Sequence, residues 1–166
     1  MASPKYGCLD PKARSKVYPV EASQYFYHNG VNAVILSADG LIQLAITADQ
    51  KLFGFAVVPG GMGAGTNPLY WLSSATAGED KIPVILAVER CSFLLPSDDT
   101  VTEAMKGSSC DLLSVNDGTA TEVDVGTSTN DLFTIQDLGV NVHGAASATD
   151  VVVKININEI QVLQST

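Results

Sequence analysis

The sequence predicts an all-β domain, an antiparallel β-barrel or sandwich with an extended N-terminal arm and one short helix. Three observations support this. Short runs of β-branched and aromatic residues recur at close spacing along the chain. Turn signals separate them, above all Asp39-Gly40 and Asn116-Asp117-Gly118. Only one segment carries both a helix-start and a helix-stop signal.

Residues 1–19 contain Pro4, Pro11 and Pro19, which forbid a continuous helix. This segment reads as an extended arm, and residues 20–166 as the domain proper. Val31, Val34, Ile35 and Leu36 lead into Asp39-Gly40, and Leu41, Ile42, Leu44 and Ile46 follow, so the two runs form a hairpin. Residues 52–58 form a strand in which Gly54 marks a bulge or a close backbone approach. Residues 59–68 are a glycine-rich loop, and 69–72 a short aromatic strand. Residues 82–95 read as one long strand or two short ones. Asp98 or Asp99 caps a helix of one to two turns over 97–106, which Gly107 ends. Strands follow at 110–115 and 119–125, around the second turn signal, then at 132–136, 150–157 and 160–163. Residues 139–149 form a loop with a short strand. No repeat of fixed period stands out.

The 166 residues fit one domain. Only 16% are charged, against about 25% in an average domain. Much of the surface is therefore neutral, as in proteins covered by neighbours and in secreted β-proteins. The net charge of −9 argues against nucleic acid as a partner, because phosphate needs a basic face. Charge is uneven. Lys5, Lys12, Arg14 and Lys16 oppose only Asp10 in the first twenty residues, a net +3. Five cations oppose seventeen acids in the remainder, a net −12. No apolar run approaches the length of a membrane span, and the N-terminus lacks the apolar core of a signal peptide. Cys8, Cys91 and Cys110 show no metal or disulfide spacing and read as reduced thiols, a Cys91–Cys110 bridge being the alternative.

Candidate chemistry fails at each motif. The run of Gly60, Gly61, Gly63 and Gly65 lacks the lysine of a phosphate-binding loop and the spacing of a dinucleotide fingerprint. His28 and His143 have no partner that spacing can identify. Asn116 to Asp124 lacks the ligand spacing of a calcium loop. No catalytic, cofactor or metal residue is assigned, and the chain reads as a non-enzyme. Tyr25, Phe26, Tyr27, Tyr70 and Trp71 could stack on sugars, although a core or interface role fits them better. In the arm, Tyr6, Leu9, Val17 and Tyr18 are apolar anchors that a solvated tail would not need. With Lys5, Lys12, Arg14 and Lys16 they form the candidate partner interface, expected to lie on a neighbouring protein rather than on the chain's own domain.

Residues 24–58, QYFYHNGVNAVILSADGLIQLAITADQKLFGFAVV, resemble the head decoration, or capsid cement, proteins of tailed bacteriophages. FLLPSDDTVTEAMKGSSCDLL and the closing DVVVKININEIQVLQ are similar to later parts of the same proteins, so the resemblance spans about residues 20–163. The glycine-rich insert at 59–67 departs from it. The resemblance implies a virion structural protein without catalytic residues or cofactors. It would bind major capsid protein on the outer surface of the shell, reinforce it, and form a homo-oligomer, with a trimer favoured. Assembly would take place in the host cytoplasm, with neither nucleic acid nor membrane as partner. The alternatives are a tail or fibre component and a carbohydrate-binding, adhesin-like module using Tyr25, Tyr27, Tyr70 and Trp71.

Overall fold

A computed structural model describes residues 6–10, 12–28, 32–47, 49, 51–59, 70–114, 121–139 and 149–161. Among them are thirteen short strands: β1 (Gly7–Cys8), β2 (Ser15–Pro19), β3 (Tyr25–Tyr27), β4 (Ala33–Leu36), β5 (Ile42–Leu44), β6 (Gly54–Ala56), β7 (Tyr70–Leu72), β8 (Lys81–Leu86), β9 (Ser92–Pro96), β10 (Ser109–Ser114), β11 (Thr121–Asp124), β12 (Phe133–Leu138) and β13 (Asp150–Ile155). They form a five-stranded sheet, β2-β8-β6-β4-β5, a six-stranded sheet, β1-β9-β13-β12-β10-β11, and the ribbon β3-β7. The all-β, antiparallel, sandwich-like architecture is the one expected, and it does not close into a barrel.

The two large sheets are the same unit built twice. Taken in chain order, the strands of the first are β2, β4, β5, β6 and β8, and those of the second are β9 to β13. In both sheets they lie in the order first, fifth, fourth, second, third. In both, the residue after the first strand reaches the third by one parallel bridge, Val20 to Ile42 and Ser97 to Val123. The pairing registers then agree throughout. Ser15 opposite Ile85 matches Ser92 opposite Lys154, Ala33 opposite Phe55 matches Ser109 opposite Thr134, and Leu36 opposite Ile42 matches Leu112 opposite Val123.

Hydrogen bonds outside the ladders repeat as well. Val20 N–H donates to Asp80 O as Ser97 N–H does to Thr149 O. Glu21 to Ile42 matches Asp98 to Val123, Ala56 to Asn32 matches Ile135 to Ser108, and Ala87 to Phe53 matches Asn156 to Leu132. A 3-10 turn follows the fifth strand in each unit, Ala87–Glu89 and Ile157–Glu159. This duplication went unread in the sequence because the distance between equivalents varies, from 69 residues (Ile85 to Lys154) to 81 (Ile42 to Val123).

Alternation along the strands fills each interior with equivalent side chains. Tyr18, Val34, Ile42, Phe53, Ile82 and Val84 are buried in the first unit. Leu95, Cys110, Val123, Leu132, Val151 and Val153 hold the matching places in the second. The ribbon plugs the first unit with Phe26 stacked on Trp71, centroids 5.6 Å apart. The units join through the outer face of the first. Ala33 and Phe55, flanked by Ile35 and Ile85, enter the core of the second unit, and the Phe55 ring stacks on Phe93 at 4.1 Å.

The terminal segments cross between units. Strand β1 pairs with β9, and Leu9 N–H donates to Ser92 O. Ile160 bridges Leu52, and the Gln161 amide bonds both the N–H and the carbonyl of Leu36 at 2.8 Å. The expectation of a separate arm laid on a neighbouring protein is therefore overturned for residues 6–10 and 12–19. Strands β1 and β2 are extended, but they pair within their own chain, and Tyr6, Cys8, Ala13 and Tyr18 pack on its cores. Pro4 and Lys5 lie outside the described residues.

Other expectations divide. The Asp39-Gly40 hairpin is present, with Gly40 at φ +78 in a five-residue loop rather than a two-residue one. The hairpin of β10 and β11 is present, while its turn at 116–118 lies outside the described residues. Residues 82–95 are two strands in different sheets, split by the Ala87–Glu89 turn. The helix expected over 97–106 reduces to the single 3-10 turn Glu103–Met105. Its start signal is diverted, because Ser97 and Asp98 stay extended to meet β11 and Asp98 Oδ1 accepts Val125 N–H. Gly107 keeps its left-handed φ of +85, and Lys106 pairs with Glu103 and Asp137 at 2.5 and 3.0 Å. The glycine run at 60–65, the strand in 139–149 and residues 162–163 lie outside the described residues.

Gly54 is the close approach expected of it, since a Cβ there would lie 2.2 Å from Ile85 O. Gly54→Ala is expected to cost about 3 kcal/mol or more, read by urea unfolding. Phe55→Ala opens the joint between units and is expected to cost about 3–5 kcal/mol. At the equivalent position in the second unit, Thr134→Ala loses one hydrogen bond, about 1 kcal/mol. Equal effects at the two positions would contradict the asymmetric joint.

Candidate interaction surface

The arm residues singled out in the sequence part into two groups. The Tyr6 hydroxyl donates to Asp150 Oδ1 at 3.0 Å, and Asp150 is itself buried. Leu9 is half-buried beside β9. Tyr18 is buried and meets Phe53 edge-on, centroids 5.1 Å apart. Burial raises its phenol pKa above the ordinary value. These three anchors therefore serve their own fold.

Lys12, Arg14, Lys16 and Val17 remain exposed. Strand β2 alternates, so Tyr18 points inward while Val17, 56% exposed, stands outside. The Lys16 ammonium lies 5.8 Å from the Tyr18 ring centroid, which holds its stem along the strand. Lys16 and Val17 thus stand on the edge strand of the five-stranded sheet, and Lys12 and Arg14 form a basic strip with them just before it. Lys5 lies outside the described residues.

The aromatic run is sorted by the same alternation. Phe26 and Trp71 face the core, whereas Tyr25, Tyr27 and Tyr70 gather on the outer face of the ribbon. Tyr70 meets Tyr25 at 5.0 Å and Tyr27 at 5.9 Å. Exposed Leu72 completes this patch. Trp71 does not belong to the platform in which the sequence placed it.

A third feature escaped sequence reasoning. Ser109, Thr134 and Lys154 stand in one cross-strand row on the outer face of the second unit. They line a polar cleft of about 430 Å³ with Arg90, Asp131, Asn156, Asn158 and Glu159 nearby. Arg90 and Asp131 both adopt left-handed backbone, at φ 57 and φ 52. The matching row in the first unit is Ala33, Phe55 and Ile85, the apolar face that packs on the second unit. The signal was accessible only through the duplication.

The remaining reactive groups are dispersed. His28 is half-buried, and its Nε2 has no hydrogen-bond partner among the described residues. His143 lies outside the described residues. The three cysteines are free, and Cys91 neighbours Cys8 rather than Cys110. Burial, with smaller contributions from a hydrogen bond and from charge at Cys8, pushes the Cys91 thiol up to about 12. Burial, with Asp111 adding negative charge, does the same for Cys110. Among the described residues no group of His, Cys, Asp and Glu has the arrangement of a metal site. Nor is any helix among them long and apolar enough to cross a membrane.

No family model matches the chain, and comparison with curated proteins and with solved structures finds no match.

The thiols give a direct test of this packing. At pH 8 iodoacetamide should modify half-exposed Cys8 and spare Cys91 and Cys110, and all three should react in guanidinium chloride, as read by mass spectrometry. The ordinary thiol value is 9.0 and the folded values are about 12. Between these the unfolded chain releases protons that the folded chain keeps, so stability should fall as pH rises through that window. Thermal melts across it check the sign, and Cys110→Ala should flatten the decline.

Proposed function

We propose that this chain is a non-enzymatic virion structural protein that decorates and reinforces the outer surface of a tailed-phage capsid by binding its major capsid protein. The observation that carries this reading is the exposed strip Lys12, Arg14, Lys16 and Val17 on a domain that is otherwise strongly acidic. A surface poor in charge and the resemblance of residues 24–58 to capsid cement proteins support it. The basic strip steers the domain to an acidic face of the shell, and many copies on a lattice gain avidity. Self-association, with a trimer favoured, belongs to the same proposal.

A second reading, a carbohydrate-binding module of a tail or fibre component, draws on the outward cluster of Tyr25, Tyr27 and Tyr70. Tyrosine rings present apolar faces to sugars and hydroxyls to their polar rims.

Purified chain added to phage shells lacking decoration tests the first reading by electron microscopy and gel densitometry. Shells should become saturated and resist heat disruption. Replacing Lys12, Arg14 and Lys16 together with Glu should lower occupancy at least about tenfold at low salt, with the difference shrinking at high salt. Absence of shell binding, with glycan binding that Tyr70→Ala abolishes, would favour the second reading.

A further inference from the structure

We propose that the free edge of β2 accepts an extended, acidic segment of a partner protein as an added antiparallel strand. The duplication supplies the argument. In the second unit, β9 carries β13 on one side. On the other side it carries β1 beside Ser92 to Leu94, followed by β11 at Ser97 and Asp98. In the first unit, β2 carries β8 on one side, and β5 meets Val20 and Glu21 on the other. The place matching β1, beside Ser15 to Val17, holds no strand among the described residues.

The backbone groups at this place point outward. Val20 N–H bonds Asp80 in the β8 direction, so Lys16 and Tyr18 also face β8 and Ser15 and Val17 face away. Pro83, opposite Val17, has no N–H, and its carbonyl accepts Val57 N–H from the β6 side. The equivalent atom in the second unit, Ser92 O, accepts Leu9 N–H. Ser15 and Val17 therefore offer the same donors and acceptors that hold β1 in place on β9.

Charge selects the occupant. Lys16 is exposed on this edge and Lys12 and Arg14 are exposed just before it, and the three form no ion pair with the described residues. Lysines on an edge deter pairing with an identical edge. The same charges attract a strand bearing carboxylates, while main-chain bonds supply affinity and Val17 offers an apolar contact. This surface deepens the partner-binding reading above and rests on it for the identity of the partner.

The test uses the full chain and two end-blocked octapeptides, one alternating Glu and Val, the other Lys and Val. Amide hydrogen exchange is followed by NMR. The Glu-Val peptide should slow exchange at Ser15 and Val17 at least about tenfold, and the Lys-Val peptide should not. Val17→Pro removes only an outward N–H and should abolish the protection, while Ile82 and Val84 amides in β8 keep theirs. Replacing Lys12, Arg14 and Lys16 with Glu should exchange the preference to the Lys-Val peptide.

No slowing at Ser15 and Val17, or equal slowing with both peptides, overturns the proposal. Protection that grows with protein concentration and needs no peptide assigns the edge to a second copy and also overturns it. Shell binding separates the two readings. If Val17→Pro decorates shells as well as the parent chain does, the edge proposal falls and the capsid reading stands. If the Glu-Val peptide adds at the edge but the chain binds no shell, the edge proposal stands and the capsid reading falls.

Discussion

Burial of one sheet face against the open side of its twin organises this molecule. Phe55 stacked on Phe93 lies at the centre of that contact, with Ala33, Ile35 and Ile85 around it. A five-stranded unit of about seventy residues buries a smaller share of its surface than the whole chain does. Joining two units removes a further sheet face from water. It also explains why β6 is buried at all three positions, where an outer strand of a lone unit would alternate. Gly54 is part of the same constraint, because β6 approaches β8 closely enough to exclude a Cβ.

The crossed termini follow from that joint. Strand β1 belongs by sequence to the first unit and by pairing to the second, whereas Ile160 and Gln161 follow the second unit and bond the first. Neither unit can separate without breaking both sets of contacts. The Tyr6 hydroxyl on buried Asp150 adds a polar tie at the same boundary. A buried carboxylate stripped of its hydrogen bond is costly, so the N-terminal segment is held by chemistry as well as by packing.

Local features were legible in the sequence, and the long-range ones were not. Asp39-Gly40, the β10-β11 hairpin and Gly54 announce themselves through turn chemistry and alternation. The apolar character of Tyr6, Leu9 and Tyr18 was equally plain, but composition does not say what an anchor will touch. Prolines that make a segment extended suit self-docking as well as docking on a neighbour. The duplication was hidden because paired positions follow geometry rather than identity. Among ladder equivalents the same residue recurs only at Ser15 and Ser92, Pro19 and Pro96, Leu36 and Leu112, and Val84 and Val153. The polar cleft was invisible for the same reason, since its meaning lies in the contrast between Thr134 and its buried equivalent Phe55.

That contrast bears on how the chain meets other molecules. The contact between units is head to tail, and such contacts propagate unless something stops them. The outer face that could carry the series onward has Thr134 and Lys154 where the first unit has Phe55 and Ile85. The receiving place at the other end has Lys16 where the second unit has Phe93. A cation therefore stands at each end of a two-unit stack, and burying either without a partner charge would be costly. These outer surfaces lack the apolar contact that joins the two units. What remains for recognition is charge and backbone rather than apolar face, and β2 brings both together: exposed Lys16, with Lys12 and Arg14 just before it, and an edge that meets no strand among the described residues beside Ser15 to Val17.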